Sequence, residues 1–290
     1  MRAALALALA LLLAACAHVG AAPAARGEAL RVMTYNIRLD LASDGPNAWP
    51  HRRAMVAELI GHEAPALLGM QEVLLHQKRD LEAALPDYAF VGVARDDGAE
   101  QGEFSPLAFR RDRFDAVESG TFWLSPTPTK PGKAWDAAYA RIATWAMLRE
   151  RGSGRRLAVL NTHFDHVGTE ARANSAAMIA DWARKRSAGG EPVVVMGDFN
   201  TPPSSGSIRL LADPARSGLR LAQAISASPP YGPRGTFNAF KIDADAAEPI
   251  DHVLVSDQFE VLGVATVTQH WGGRLPSDHY PVVADLTLKR

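Results

Sequence analysis

Val193 to Asn200 reads VVVMGDFN. Three β-branched valines and Met196 make a short, wholly apolar run, the pattern of a strand buried on both faces. Gly197 is the expected place for a sharp turn, and Asp198 and Asn200 follow at once. An acid and an amide at the exit of a buried strand point to a cleft at its C-terminal end, where open α/β sheets hold ligands. Taken alone, Gly-Asp after a strand also reads as a plain turn.

Working outward, the same kind of segment recurs on both sides. Leu30 to Leu39 alternates as a first strand, and ALLGMQEV, beginning at Ala66 behind Pro65, gives a second buried strand ending in Gln71-Glu72. Further strands are expected at Phe90–Val93, Leu107–Arg110, Phe114–Leu124, Arg141–Leu148, Arg156–Phe164, His252–Ser256, Glu260–Gln269 and Val282–Leu288. Helical spacing marks His51–His62, Leu74–Leu85 and Gly168–Ser187, the last with Thr169 as its expected N-cap, and a short helix is expected at Ser207–Leu211. Strands outnumber helices in both halves of the chain. A pair of sheets covered by a few helices therefore fits better than a doubly wound sheet.

Residues 1–15 read as an export signal: Met1-Arg2, then an Ala/Leu run too short to span a bilayer as a mature helix. The run ends in Leu13-Ala14-Ala15-Cys16, which resembles a bacterial lipoprotein signal and would make Cys16 the acylated first residue. The plainer reading is an ordinary secretory peptide cut near Ala21. Cys16 is the single cysteine of 290 residues, so no disulfide is available and the core alone must stabilise the fold. A chain of this length buries roughly three quarters of its unfolded surface, which suffices. Residues 16–28 read as a tether and 29–290 as one domain. A formal charge of −1, one unit more negative once Arg2 is removed, provides no general attraction to nucleic acid.

Polar residues recur at the ends of the apolar strands: Asn36, Glu72, His163 with Asp165, Asp198 with Asn200, Asp251, and Asp278-His279. Each alone has a structural explanation, as a turn residue, a helix start or a hydrogen-bonded core histidine. So many at strand ends point to one shared cleft. The ordered set YN, QE, NTH, GDFN, IDH and SDH resembles the endonuclease/exonuclease/phosphatase superfamily from about Leu30 to the C-terminus. The resemblance implies a four-layer α/β sandwich, two mixed β-sheets face to face with helices outside.

It also implies roles. Phosphate ester hydrolysis needs charge neutralised on the phosphoryl oxygens, an activated water and a stabilised leaving oxygen. By resemblance Glu72 is the main ligand of Mg²⁺ (or Mn²⁺), with Asn36 beside it and Asp278 as a further candidate. Asp198 is the general base on water, oriented by Asn200. His279 contacts the phosphate, held by Asp251, and His163 is the second phosphate contact. Asp165, two residues along, is expected on the same side with a lesser substrate role. Where some members carry a carboxylate two residues after the first Asn, this chain has Arg38. That matches the pancreatic-deoxyribonuclease branch, assigns Arg38 to substrate phosphate and removes a ligand for a second metal. His252 reads as structural, and His51, His62, His76 and His270 as surface residues. The Arg95–Gly98 stretch with Trp123, Trp135 and Trp145 reads either as a substrate wall or as ordinary packing.

The expected activity is thus an exported, metal-dependent phosphoesterase acting as a monomer, with a nuclease-like phosphodiester favoured. A phosphomonoester or a phospholipid headgroup would use the same site. The substrate is accordingly a nucleic acid, a phospholipid or a small molecule, and lipid on Cys16 would hold the protein to a bacterial cell envelope, at the outer membrane or in the periplasm. The reading from another class is a surface binding protein that kept the fold and lost the chemistry; the retained acids and histidines weigh against it.

Overall fold

The computed structural model describes residues 29–244 and 248–289. The expected signal, tether and Cys16 lie outside the described residues. The chain begins with β1 (Leu30–Asn36), α1 (Arg53–Glu63), β2 (Leu67–Gln71), α2 (Leu75–Ala84), β3 (Tyr88–Val91) and β4 (Leu107–Arg110). Next come β5 (Phe114–Trp123), β6 (Ile142–Glu150), β7 (Arg156–His163), α3 (Thr169–Ala188) and β8 (Val193–Asp198). Then follow α4 (Gly206–Leu211), α5 (Pro214–Ser217), β9 (Leu219–Leu221), α6 (Ala222–Ile225), β10 (Asp251–Ser256), β11 (Phe259–Thr266) and β12 (Val282–Leu288). The strands form two six-stranded sheets, ordered β11-β12-β1-β2-β4-β3 and β5-β6-β7-β8-β10-β9. Both are mixed: β1 runs parallel to β2 and antiparallel to β12, and β7 parallel to β8, which is antiparallel to β10.

Side-chain alternation builds the layers. Val32, Leu67, Val159, Val194, Met196 and Val253 meet between the sheets in one core. From the same strands Met33, Tyr35 and Leu68 pack outward among residues of α1 and α2, while Leu160, Val193 and Val195 pack against Ile179 and Ala183 of α3. The result is the expected four-layer sandwich. One polar link crosses its middle: Gln71 Nε2 donates to Asn161 Oδ1 at 2.6 Å, and Asn161 Nδ2 donates to the Met70 and Pro106 carbonyls. A Cβ on Gly69 would lie 2.6 Å from that same Asn161 oxygen, so glycine leaves the room the link requires.

Two local expectations are corrected. Gly197 does not turn the chain; it lies inside β8, where any Cβ would meet the Thr162 carbonyl oxygen of β7 at 2.2 Å. The turn comes at Asn200, with φ of 51°. Thr169 does not cap α3 either. The Asp136 carboxylate, from a distant loop, accepts from Glu170 N and Ala171 N at 3.1 and 2.7 Å.

Candidate active site

The site lies where the inter-sheet core opens. Along β1 the inward positions run Val32, Thr34, Asn36; along β7 Val159, Asn161, His163; along β8 Val194, Met196, Asp198. The antiparallel β10 delivers Asp251 to the same end, two residues before inward Val253. Glu72 follows β2, and Asp278-His279 precede β12, whose antiparallel pairing with β1 brings them alongside Asn36. Each strand thus passes from apolar to polar at one end, and the polar ends meet.

Asn36 is the hub. Its amide Nδ2 lies 3.0 Å from Glu72 Oε1 and 3.0 Å from Asp198 Oδ2, donating to both. Leu39 N donates to Glu72 Oε2 at 3.1 Å, and Arg38 N to Asn36 Oδ1 at 3.0 Å. Arg38, Glu72 and Asn200, each just past a strand, all have positive φ (58°, 60° and 51°), a costly geometry of the kind concentrated at functional sites. His279 Nδ1 lies 2.9 Å from Asp251 Oδ2, and its Nε2 is 3.8 Å from Asp198 Oδ2. Arg52, fully buried, donates to the carbonyls of Ile37, Arg38, Leu39 and Pro276 and so ties the loop after β1 to the approach to Asp278.

Asn200 reaches Asp198 through its backbone, not its side chain. Its backbone N donates to Asp198 Oδ1 at 2.8 Å, while its side-chain amide donates to the Phe164 carbonyl and points at His163 Nε2, 3.0 Å away. It therefore orients Asp198 and His163 together. Facing a donor, His163 Nε2 accepts, which places the ring proton on Nδ1.

Charge separates the two histidines. Burial lowers the His163 pKa well below the usual value, aided by the Arg141 and Arg95 guanidiniums. Burial opposes charge on His279 as well, but Asp251, Asp198 and Asp278 outweigh it and raise that ring to about 10. His279 is therefore an imidazolium at neutral pH and His163 is neutral. Asp198 is raised, first by burial and then by Asp251, with His279 and the Asn36 hydrogen bond pulling against them. Asp278 is raised by burial, and Glu72 adds to the effect.

Two groupings offer metal ligands. Atoms of Asp198, Asp251 and His279 all lie within 4.8 Å of one another. Within that grouping, Asp251 is already hydrogen-bonded to His279 Nδ1, and Asp198 accepts from Asn36 Nδ2 and Asn200 N. The other is Glu72 with Asp278, hard carboxylate oxygens of the kind Mg²⁺ takes with waters, beside Asn36, whose Nδ2 rather than its oxygen faces Glu72. The carboxylates around Asn36 outnumber the cations among them, since the nearby Arg38 is itself forked onto Asp44 at 3.0 Å, 3.9 Å from Glu72 and 3.8 Å from Asp278. That surplus fits a divalent ion.

Asp165 is corrected. It lies beyond β7, fully buried, with its oxygens committed to Val167 N, Gly168 N, Tyr139 N and Arg141, so no acceptor remains for substrate. Those backbone donors and Arg141 hold it below the usual carboxylate range despite burial. His252 is structural, its Nε2 donating to Thr201 O at 3.0 Å. Trp123 is buried and Trp145 packs on Trp182 and Arg186, so these two tryptophans serve packing. The sequence reading missed Glu103, whose Oε2 lies 3.9 Å from His163 Nδ1 and which is held by Arg95 at 2.7 Å. Its only signal was an acid at the end of a polar loop.

The chain matches the model of the endonuclease/exonuclease/phosphatase family over residues 33–279. A mannosyl-6-phosphatase of Bacteroides thetaiotaomicron is 34% identical, with a TM-score of 0.84 over 89% of this chain and 100% of that one. An endonuclease/exonuclease/phosphatase protein of Bacteroides vulgatus is 38% identical, with a TM-score of 0.83 over 90% of this chain and 99% of its own. An uncharacterized protein of Acanthamoeba polyphaga mimivirus is 22% identical over 273 residues, and this chain spans 38% of that curated relative's length.

Proposed function

Because the chain belongs to the endonuclease/exonuclease/phosphatase family, whose members hydrolyse phosphoesters, we propose that it is a metal-dependent phosphoric ester hydrolase. The observation that carries this reading is the convergence of Glu72, Asp198, His163 and the Asp251–His279 pair around Asn36. A bound Mg²⁺ or Mn²⁺, held by Glu72 and Asp278 beside Asn36, would neutralise negative charge on the phosphoryl oxygens. Asp198 takes the proton of the attacking water; Asn36 and Asn200 fix where its two oxygens point. His279, kept charged by Asp251, directs Nε2–H at the developing charge on phosphorus-bound oxygen. His163 remains neutral and braces Asn200.

The substrate we propose is a phosphate monoester on a small, hydroxyl-rich molecule. Support comes from the mannosyl-6-phosphatase, to which this chain is similar along that protein's whole length. A nonspecific nuclease draws affinity from basic surface, which a formal charge of −1 does not supply. We further propose that Leu13-Ala14-Ala15-Cys16 directs lipidation and holds a monomer at the bacterial cell envelope. The deciding experiment is a panel with Mg²⁺: mannose 6-phosphate, bis(p-nitrophenyl) phosphate, single-stranded DNA and phospholipid vesicles. Turnover greatest on the monoester supports the reading. Turnover confined to diesters overturns the monoester assignment, and none on any ester overturns the enzyme.

A further inference from the structure

Phe237 is a large apolar side chain left 44% exposed, and it stands against the charged imidazole of the site. Its ring centroid lies 5.2 Å from that of His279, the planes tilted by 69°. Single exposed hydrophobic residues are ordinary. This one is held rigidly. Phe237 forms an antiparallel bridge with His279, Tyr280 N donates to Thr236 O at 2.7 Å, and Asn238 N and Ala239 N donate to Asp278 O at 2.7 and 3.2 Å. Thr236 Oγ1 accepts from Ile250 N and Asp251 N, so the loop is tied to both members of the Asp251–His279 pair. The next two turns of the backbone are strained: Ala239 and Phe240 have φ of 50° and 61°. Asn238 is buried and turns its Oδ1 onto Phe240 N, while the Phe240 ring lies 5.8 Å from the Arg52 guanidinium. The loop accepts this strain and buries its neighbours while keeping one aromatic ring in the open.

Resting on the monoester reading above, we infer that Phe237 is a specificity-determining residue whose ring forms the wall for the leaving group, and that this leaving group is cyclic, a pyranose being the class that fits. With His279 Nε2 proposed to face the phosphoryl oxygens, the group carried on phosphorus is expected beside Phe237, the residue packed on that ring. An aromatic face, electron-rich at its centre, receives the C–H face of a sugar ring, while the sugar hydroxyls stay in water. An open-chain polyol offers no such face.

The test compares kcat/KM on mannose 6-phosphate and on glycerol 1-phosphate for wild type, Phe237→Ala and Phe237→Trp. In Phe237→Ala the ratio of the two, cyclic over open-chain, should fall about tenfold, the scale of one lost aromatic contact. Phe237→Trp should restore it. A ratio unchanged in Phe237→Ala, with the wild type active on both esters, overturns the role of Phe237 and leaves the proposed function standing. A wild type inactive on both esters overturns the proposed function, and this inference with it.

Discussion

Asp251 Oδ2 and His279 Nδ1 lie 2.9 Å apart, both buried, although 28 residues and two strands separate them. No local structure brings them together; only the docking of the two sheets does. The carboxylate keeps a buried ring charged, against the pull of burial. Asp251→Asn should therefore lower turnover and move the alkaline limb of the pH–rate profile, which reports loss of the imidazolium, toward lower pH by about 1–3 units. The sign for stability follows from the same shift. A ring raised to about 10 adds stability that is full below the unfolded histidine value of about 6.5 and lost as pH rises through 10. Denaturant melts of the variant should show that contribution missing near neutrality, and an unchanged pH dependence would break the pairing.

Removing the base should be costlier. Asp198→Asn should reduce kcat by about 10²–10⁴ with the fold retained. Asn200→Ala should act in the same direction but more weakly, since it keeps the backbone N–H on Asp198 Oδ1 and removes only the amide that braces His163 and the Phe164 carbonyl. The double variant should fall short of the product of the two, because His163 itself stands 3.5 Å from Asp198 Oδ2. Single-turnover rates with circular dichroism as the control make the check. Independent, multiplying losses would separate the two residues.

The two ligand sets predict different metal binding. Chelation with EDTA should abolish activity, and Mg²⁺ or Mn²⁺ should restore it. Measured by calorimetry with Mn²⁺ alone, Glu72→Ala should weaken affinity by at least about tenfold, the range seen when a support of a metal site is removed. Asp251→Asn should leave that affinity nearly unchanged. The reverse pattern would move the ion to Asp198, Asp251 and His279.

Localisation rests on one side chain. With Cys16 acylated, the protein should sediment with membranes, and Cys16→Ser should release it or leave its signal uncut. Stable anchoring takes more than one acyl chain, so a wild type found wholly in the soluble fraction would refute lipidation.

The sequence was most readable where function interrupts an apolar run. Asn36 and Asp198 end buried strands and Asp251 begins one, and alternation from Val32, Met196 and Val253 puts them on the inward face. The two-sheet architecture was legible from strands that outnumber helices in both halves of the chain, and its four layers from the family resemblance. What escaped depended on groups distant in sequence. Glu103 became a neighbour of His163 only through the loop that Arg95 closes. Asp165 shared the strand's direction on paper, but the chain leaves β7 at His163 and folds its carboxylate back onto backbone amides. Gly197 looked like a turn because the carbonyl it must clear belongs to another strand. Asp136 capped a helix 34 residues away.

The order of strands in the first sheet also governs when the protein can begin to work. β1, the first strand made, lies between β2 and β12, and β12 is the last. A growing chain can pair only one side of β1 until β12 (Val282–Leu288) has been synthesised, and His279 arrives immediately before that closing strand. Such a long-range closure makes folding slow relative to helical proteins. It also means that a nascent or C-terminally truncated chain lacks both the seam and the imidazolium. The proposed catalytic groups therefore come together only once β12 has been made.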